Sequence, residues 1–383
     1  MKTLLIVIDS LACGGAERSL VSLLPYLTER GYDITLMLTA RGGLFERFVP
    51  KGVKIVMMPG YPIDGSFSGR LRRLAYSAAI RLKPGINKAQ LLWRIAGSHT
   101  PALDREYDVA IAYQQGFPTF YVAGHVKAAR KLCWINVDLP SIGMTPSYCR
   151  KFYGRYDAVV AVSEKLREDT LNQGYVPAGS EMHTVYDILD PELIRRMGAE
   201  YVPFDSKDGR LHIATVGRLV YQKGFDIAVK AASALRDAGV DFTWHFVGGG
   251  VDADMLAGMI AEHGLDNYVR LEGVKSNPYP YMAKCDIYVQ PSRFEGFGLT
   301  VAEARILGKA PVCTDFSVVT NQIHDGQNGL IVPMTPQGVA DGVMRYLRET
   351  GLKDRLEANV AMERNESSIT ESRKVIALID GSE

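Results

Sequence analysis

The chain lacks the residue patterns that build disulfide frameworks and thiolate metal sites. Its 383 residues hold five cysteines, Cys13, Cys133, Cys149, Cys285 and Cys313, and no two of them form a Cys-x-x-Cys pair. An odd, scattered set argues against paired disulfides and against a zinc site. Cys285 and Cys313 stand in apolar runs, where a thiol serves as a small core residue. The seven histidines, at 99, 125, 183, 212, 245, 263 and 324, show no metal-ligand spacing. Long hydrophobic runs are also missing. The first one, Thr3–Ile8, stops at Asp9, too soon for a signal h-region or a membrane span and right for a buried first strand. No Gly-x-Gly-x-x-Gly follows that strand, which argues against a dehydrogenase. No one sign of charge dominates, with 44 Lys and Arg against 43 Asp and Glu. A cytosolic globular chain of two or three domains is expected.

The charge is unevenly placed. Residues 1–185 carry 23 Lys and Arg against 15 Asp and Glu, and the remainder carries 21 against 28. A basic half joined to an acidic half suits one half meeting an anionic partner, a membrane surface or a nucleic acid.

Short apolar runs alternate with helical periodicity. Leu4–Ile8 reads as a strand buried on both faces, and Gly14-Gly15 as a turn. Leu20, Leu23, Leu24 and Leu27 give a helix, and Ile34–Leu38 a second strand. Further strands are expected at 53–57, 109–113, 131–135 and 158–162. The pattern restarts near residue 210, with strands at 211–216, 242–247, 269–271, 287–290 and 310–313. Helices are expected at 225–235, 255–263 and 300–307. Repeated βαβ units predict α/β domains built on doubly wound parallel sheets. The expected division is a first domain over 1–197, a polar linker over 198–209 and a second domain over 210–365. A last helix over about 366–383 can pack back on the first domain. Two such domains create a cleft, and ligands bind at the carboxyl ends of parallel strands.

Residues 69–95 interleave Arg70, Arg72, Arg73, Arg81, Lys83, Lys88 and Arg94 with Leu71, Leu74, Ala78, Ile80, Leu82, Leu91, Leu92 and Trp93. Pro84-Gly85 should split the stretch into two helices. A basic amphipathic segment can lie on an anionic membrane, with Arg70, Arg72, Arg73 and Arg81 as contacts. A solvated helical face over an ordinary core stripe is the plainer alternative.

Two motifs carry chemistry. In Pro291-Ser292-Arg293-Phe294-Glu295-Gly296-Phe297-Gly298-Leu299-Thr300-Val301-Ala302-Glu303, a strand ends, a glycine-rich turn follows and a helix opens. Free N–H groups and the positive end of a helix dipole make an anion site there. Glu303, a turn into the helix, can accept two hydrogen bonds from a vicinal diol, while Glu295 precedes the turn. The second motif is Val216-Gly217-Arg218-Leu219-Val220-Tyr221-Gln222-Lys223-Gly224-Phe225-Asp226. It presents Arg218 and Lys223 at a strand end, a planar fork and a point charge suited to a diphosphate. Asp226 near the next helix start can be a cap.

Together these residues resemble the GT4 family of retaining glycosyltransferases, which have the GT-B fold. Glu295 and Glu303 match its Glu-x7-Glu motif, and Gly217-Arg218 with Lys223-Gly224 its diphosphate loop. Gly14-Gly15-Ala16-Glu17-Arg18, Trp134-Ile135-Asn136, Val162-Ser163-Glu164 and Asp325-Gly326-Gln327-Asn328-Gly329 are similar to further landmarks of its capsule and oligosaccharide enzymes. The resemblance implies two Rossmann-like domains facing across a cleft. It also implies that Arg218 and Lys223 hold the donor diphosphate, Glu303 the ribose and Glu295 the donor sugar near its developing positive charge. Gly15, Gly217, Gly296, Phe297, Gly298, Leu299 and Thr300 would line the phosphate or sugar, with Gly248 and Val274 beside the nucleoside. Gln115 and Asn136 would lie on the acceptor side. The family often has His where this chain has Asn136, which can hydrogen-bond a sugar hydroxyl but cannot shuttle a proton. It also often has an acid in the stretch that reads Gly248-Gly249-Gly250-Val251 here.

The activity implied by the resemblance is transfer of a hexosyl or N-acetylhexosaminyl group, with retention, from a UDP-sugar to a membrane-anchored glycan in cell-surface polysaccharide synthesis. The capsule and teichoic-type precursors are examples. No cofactor, no metal and no nucleic acid are expected. The location expected is cytoplasmic, at the inner face of the membrane. The alternatives are a GT-B sugar-nucleotide epimerase or phosphorylase, and a sugar-nucleotide sensor without activity.

Overall fold

The structure, a computed structural model, describes residues 1–12, 14–60, 67–82, 85–205, 207–363 and 366–382. Cys13, Lys83 and Pro84 lie outside the described residues. The chain divides into two compact units, Met1–Leu189 with Ser367–Glu383, and Asp190–Glu366.

Among the described residues, the first unit is built on seven parallel strands: β1 (Thr3–Ile8), β2 (Asp33–Leu38), β3 (Lys54–Met57), β4 (Glu106–Ala112), β5 (Lys127–Ile135), β6 (Ala158–Ala161) and β7 (Met182–Thr184). Their order is β3-β2-β1-β4-β5-β6-β7. Parallel pairing needs a crossover between strands, and the periodic segments of the sequence supply helices for it. The run Leu4–Ile8 is fully buried because layers cover the sheet on both faces. The helix Gly15–Glu29 follows β1 and buries Leu20, Leu23, Leu24 and Leu27, the residues whose spacing announces it.

Among its described residues, the second unit has six parallel strands: β8 (Leu211–Val216), β9 (Phe242–Val247), β10 (Val269–Gly273), β11 (Ile287–Gln290), β12 (Val312–Thr314) and β13 (Leu330–Val332). Their order is β10-β9-β8-β11-β12-β13. Successive connections run outward from β8 on one side and from β11 on the other, so the topology switches between these two neighbours. Loops leaving the carboxyl ends of strands at such a switch diverge and leave room for a ligand. Ile213 pairs with Ile287 and Ala214 with Tyr288, which sets the ends of β8 and β11 side by side. In the first unit the same switch falls between β1 and β4, paired from Leu4 with Val109 to Val7 with Ala112.

Two expectations differ from the structure, and two strands escape the sequence reading. The helix Pro191–Gly198, assigned from sequence to the first domain, belongs to the second unit, where the Asn277 amide donates to Met197 O at 2.8 Å. The stretch read as a linker is likewise held in the second unit. Tyr201 donates its hydroxyl to Asn277 O at 2.6 Å, and Phe204 stacks on His212 and His245 with ring centroids 4.1 and 4.5 Å away. The polar residues add to these aromatic anchors, Glu200 accepting from the Asn277 amide at 3.0 Å and Asp208 meeting His212 Nε2 at 3.1 Å. Strands β7 and β13 have three residues each, too short to register as periodic runs.

The final helix, Glu366–Asp380, lies with the first unit. Lys2 pairs with Asp380 at 3.0 Å, and Ser368 donates to Leu189 O at 2.7 Å. The basic stretch forms two helices, Phe67–Leu82 and Lys88–Ala96. They differ in kind. The second buries Leu91, Leu92 and Trp93, whose indole packs edge-on to Phe117 at 5.1 Å. The first leaves Leu71, Leu74 and Leu82 53%, 68% and 81% exposed.

Candidate functional site

The end of β8 delivers Gly217 and Arg218, and a 3-10 turn, Tyr221–Lys223, brings Lys223 back over the strand end. Two glycines make this compact. Gly248 has φ +152°, and a Cβ there would stand 1.8 Å from Gly217 O, so the loop after β9 presses directly on the loop after β8. Gly224 has φ +66°, and a Cβ there would stand 1.9 Å from Pro291 O, so the β8 loop presses in turn on the β11 loop. Only glycine allows both approaches.

The end of β11 delivers Gln290, Ser292 and Glu295. Lys223 Nζ donates to both Glu295 oxygens, at 2.7 and 2.9 Å. The side chains of this pair are 13% and 6% exposed. Burying an ion pair is costly unless further hydrogen bonds satisfy it, and they do. Ser292 Oγ donates to Glu295 Oε1 at 2.6 Å, and the Gln290 amide reaches the same oxygen at 3.4 Å. Gln290, fully buried, is the hub. Its Oε1 accepts from Tyr288 OH at 2.8 Å and from Thr300 Oγ1 at 2.9 Å, and its Nε2 donates to Ser292 Oγ at 2.8 Å.

The helix Leu299–Ile306 opens beside this network from Gly298 as N-cap. Its first N–H groups have no carbonyl a turn earlier within the helix and point outward. Gln322 fixes the approach by donating to the carbonyls of Phe297 and Gly298. Asn328 holds Gln322 in turn, donating to its carbonyl at 3.1 Å. This gives the Asp325–Gly329 landmark a physical role, the support of the helix entrance. Glu303 is 1% exposed, and Tyr279 OH donates to its Oε1 at 3.2 Å. Arg218 is exposed and has no side-chain partner among the described residues. Val274 follows β10 and would touch a Cβ on Gly249 at 2.6 Å.

So the structure brings Gly217, Lys223, Glu295 and Thr300 together, with Gly248 and Val274 at the neighbouring strand ends. Gly296, Phe297 and Gly298 form the turn between Glu295 and the helix. An anion set here meets Lys223 and a helix N-terminus, and Arg218 is exposed on the loop that leaves β8.

The first unit has its own cluster. Gly15 opens the helix that follows β1. Gln115 Oε1 accepts from the Asn136 backbone N–H at 3.0 Å, and the Asn136 amide donates to Tyr113 O at 3.0 Å. Asn136 Oδ1 is buried without a partner among the described residues. Three acids here have no role assigned from the sequence. Burial and the nearby Glu17 push the Asp9 carboxyl up to about 6, against the Thr39 hydroxyl. Burial also raises Glu17, and it raises Asp187 to about 6. Asp9 directly follows β1 at the switch point, and that position is the signal a sequence offers for it. Arg293, Gln290 and the Asp252-Ala253-Asp254 triplet likewise have no sequence-assigned role. The triplet stands at the start of the helix Ala253–Glu262, where acids suit the helix dipole.

Residues 202–362 match the family model of glycosyl transferases group 1. That match lies within the second unit, Asp190–Glu366. Among curated relatives, the chain is 31% identical over 181 residues to an N-acetylgalactosamine-N,N'-diacetylbacillosaminyl-diphospho-undecaprenol 4-alpha-N-acetylgalactosaminyltransferase of Campylobacter jejuni, covering 47% of each. It is 28% identical over 212 residues to the alpha-D-kanosaminyltransferase of Streptomyces kanamyceticus, covering 53% of this chain and 54% of that one. The match thus spans about half the length of these relatives. Among solved structures, Anabaena HepE in complex with UDP and glucose aligns over 100% of both chains with a TM-score of 0.69 at 18% identity. Staphylococcus aureus TarM, solved with UDP, aligns over 99% of this chain and 100% of its own, with a TM-score of 0.64 at 13% identity. The fold is therefore the GT-B fold of these glycosyltransferases, with parallel sheets of seven and six strands.

Proposed function

We propose that this chain is a retaining glycosyltransferase. It moves a hexosyl or N-acetylhexosaminyl group from a UDP-sugar to a membrane-anchored glycan acceptor in bacterial cell-surface polysaccharide synthesis. The observation that carries the reading is the meeting of Lys223, Glu295 and the Leu299–Ile306 helix N-terminus where β8 and β11 end. The presence of UDP in the HepE and TarM structures supports a uridine donor, and the lipid diphosphate in the Campylobacter enzyme's name supports a lipid-linked acceptor.

In this reaction the bond from the anomeric carbon to the diphosphate oxygen breaks, and the oxygen keeps the electron pair. The acceptor hydroxyl attacks from the same face, and its proton passes to the departing phosphate. Arg218 and Lys223 compensate the charge that grows on that phosphate, and the N–H groups of Leu299 and Thr300 add to it. Glu295 stands by the sugar and Glu303 takes the ribose hydroxyls. Fixed protein charges supply the compensation that a divalent cation gives other enzymes.

The helix Phe67–Leu82 supports a membrane partner. Leu71, Leu74, Ala78 and Leu82 share a face at three- and four-residue spacing, flanked by the exposed Arg70 and Arg81, with the exposed Arg73 further round the helix. Among the described residues no helix is long and apolar enough to cross a membrane, so contact with the bilayer would be peripheral.

The test is a thermal-shift screen of UDP-, GDP- and ADP-sugars, followed by transfer to a polyprenyl-diphosphate sugar with and without EDTA. UDP-sugar stabilisation and EDTA-resistant transfer are expected. Binding without turnover would favour a sensor. Loss of transfer in EDTA that Mn²⁺ restores would overturn the metal-free mechanism and turn attention to Asp252 and Asp254.

A further inference from the structure

Lys223 and Glu295 ride on separate loops, and neither loop is a regular element long enough to hold itself. A set of contacts beside them joins the two loops, and it uses neither charged head. Arg293 donates from Nη1 to Asp226 Oδ1 at 2.7 Å and from Nη2 to Asp226 Oδ2 at 2.6 Å. Its Nη1 also reaches Tyr221 O at 2.8 Å, and the guanidinium lies 4.0 Å from the Tyr221 ring centroid. The backbone is crossed as well: Arg293 N–H donates to Gln222 O at 2.8 Å, and Gln222 Nε2 to Phe294 O at 3.0 Å. Asp226 lies in the first turn of the helix Phe225–Asp237, three residues past Lys223, and Arg293 lies two residues before Glu295. Arg293 holds the Asp226 carboxyl below its ordinary range. The two side chains are only 18% and 24% exposed, so the pair is screened less than a surface bridge.

We infer that Arg293 and Asp226 are positioning residues, a staple that sets where Lys223 meets Glu295 and hence where the donor diphosphate is gripped. The inference rests on the donor-site reading above. It also explains a choice of residue. A lysine at 293 would keep the charge but lose the planar fork and the stack on Tyr221. The staple then loosens while the net charge of the site is unchanged.

Two readouts on Arg293→Gln, Arg293→Lys and the intact chain test this. The first needs no activity: the rate at which an amine-reactive ester acylates Lys223, followed by mass spectrometry without ligand. Lys223 is sheltered by Glu295 in the intact chain, so labelling should quicken in Arg293→Gln and quicken less in Arg293→Lys. The second is transfer from UDP-sugar. Misplacing a charge-compensating group should lower kcat by about 10-fold or more, with donor KM changed less. Unchanged labelling of Lys223 in both variants overturns the staple. So does faster labelling with kcat unaltered. Faster labelling in a chain whose intact form transfers no sugar upholds the staple and overturns the donor-site reading instead. Arg293→Lys, the milder change, keeps the test open if Arg293→Gln does not fold.

Discussion

Lys223 and Glu295 stand 72 positions apart in sequence, and Lys223 Nζ lies 2.7 Å from Glu295 Oε1. The lysine that would grip a diphosphate is already satisfied by an internal carboxylate. Under the proposed reading, an incoming diphosphate shares Lys223 with Glu295 or displaces it, and the displaced carboxylate is freed toward the sugar.

Glu295→Gln separates these two effects. Removing the negative charge releases Lys223, so UDP should bind several-fold more tightly by titration calorimetry. Transfer should fall about 10²-fold, because the carboxylate no longer faces the charge that develops on the sugar. Weaker UDP binding in this variant would show that Glu295 does not compete for the lysine.

Arg218 offers the opposite case. It is exposed and has no partner among the described residues, so Arg218→Ala should leave stability within about 0.5 kcal/mol of the parent. Its kcat/KM should nevertheless drop about 10²-fold through lost compensation of the leaving phosphate. A change of tenfold or less, read from initial rates at limiting donor, would remove Arg218 from the mechanism.

Both sheets are legible in the sequence because their long strands are continuous apolar runs, and the donor motifs are legible because each ends such a run. The pairing of Lys223 with Glu295 is not. It depends on β8 and β11 being neighbours, a property of strand order, and a chain read linearly shows no strand order. Asp226 reads as a helix cap, yet its carboxylate is taken by Arg293, which lies in a different loop. The helix Lys88–Ala96 reads as basic and amphipathic, like the one before it. Trp93 sinks into an aromatic cluster and carries that helix into the core. In each case the deciding partner lies far away in sequence.

Membrane contact through the helix Phe67–Leu82 makes a graded prediction. Each arginine near an anionic surface contributes about 1 kcal/mol. Replacing Arg70, Arg73 and Arg81 together by Gln should then weaken cosedimentation with phosphatidylglycerol vesicles by about 10²-fold. Raising the salt should weaken binding of the parent in the same direction. Leu74→Asp, which charges the exposed apolar face, should weaken it further. Unchanged cosedimentation in the triple variant would rule this helix out as the contact.

Asp9 predicts how the chain responds to pH. Its carboxyl is raised from 3.8 to about 6 by burial and by Glu17. The folded chain therefore holds this proton more tightly than the unfolded chain does. Stability that depends on Asp9 is full below pH 4, falls as the pH rises toward 6, and stays lower above that. Asp9→Asn cannot ionise, so it should be more stable than the parent at pH 8 by about 1–3 kcal/mol. The gap should close as the pH is lowered to 4. Urea unfolding of the two chains across that range measures it directly. A gap that persists at pH 4 would mean that the variant gains through packing or hydrogen bonding, and that the Asp9 charge is not what costs the parent its stability.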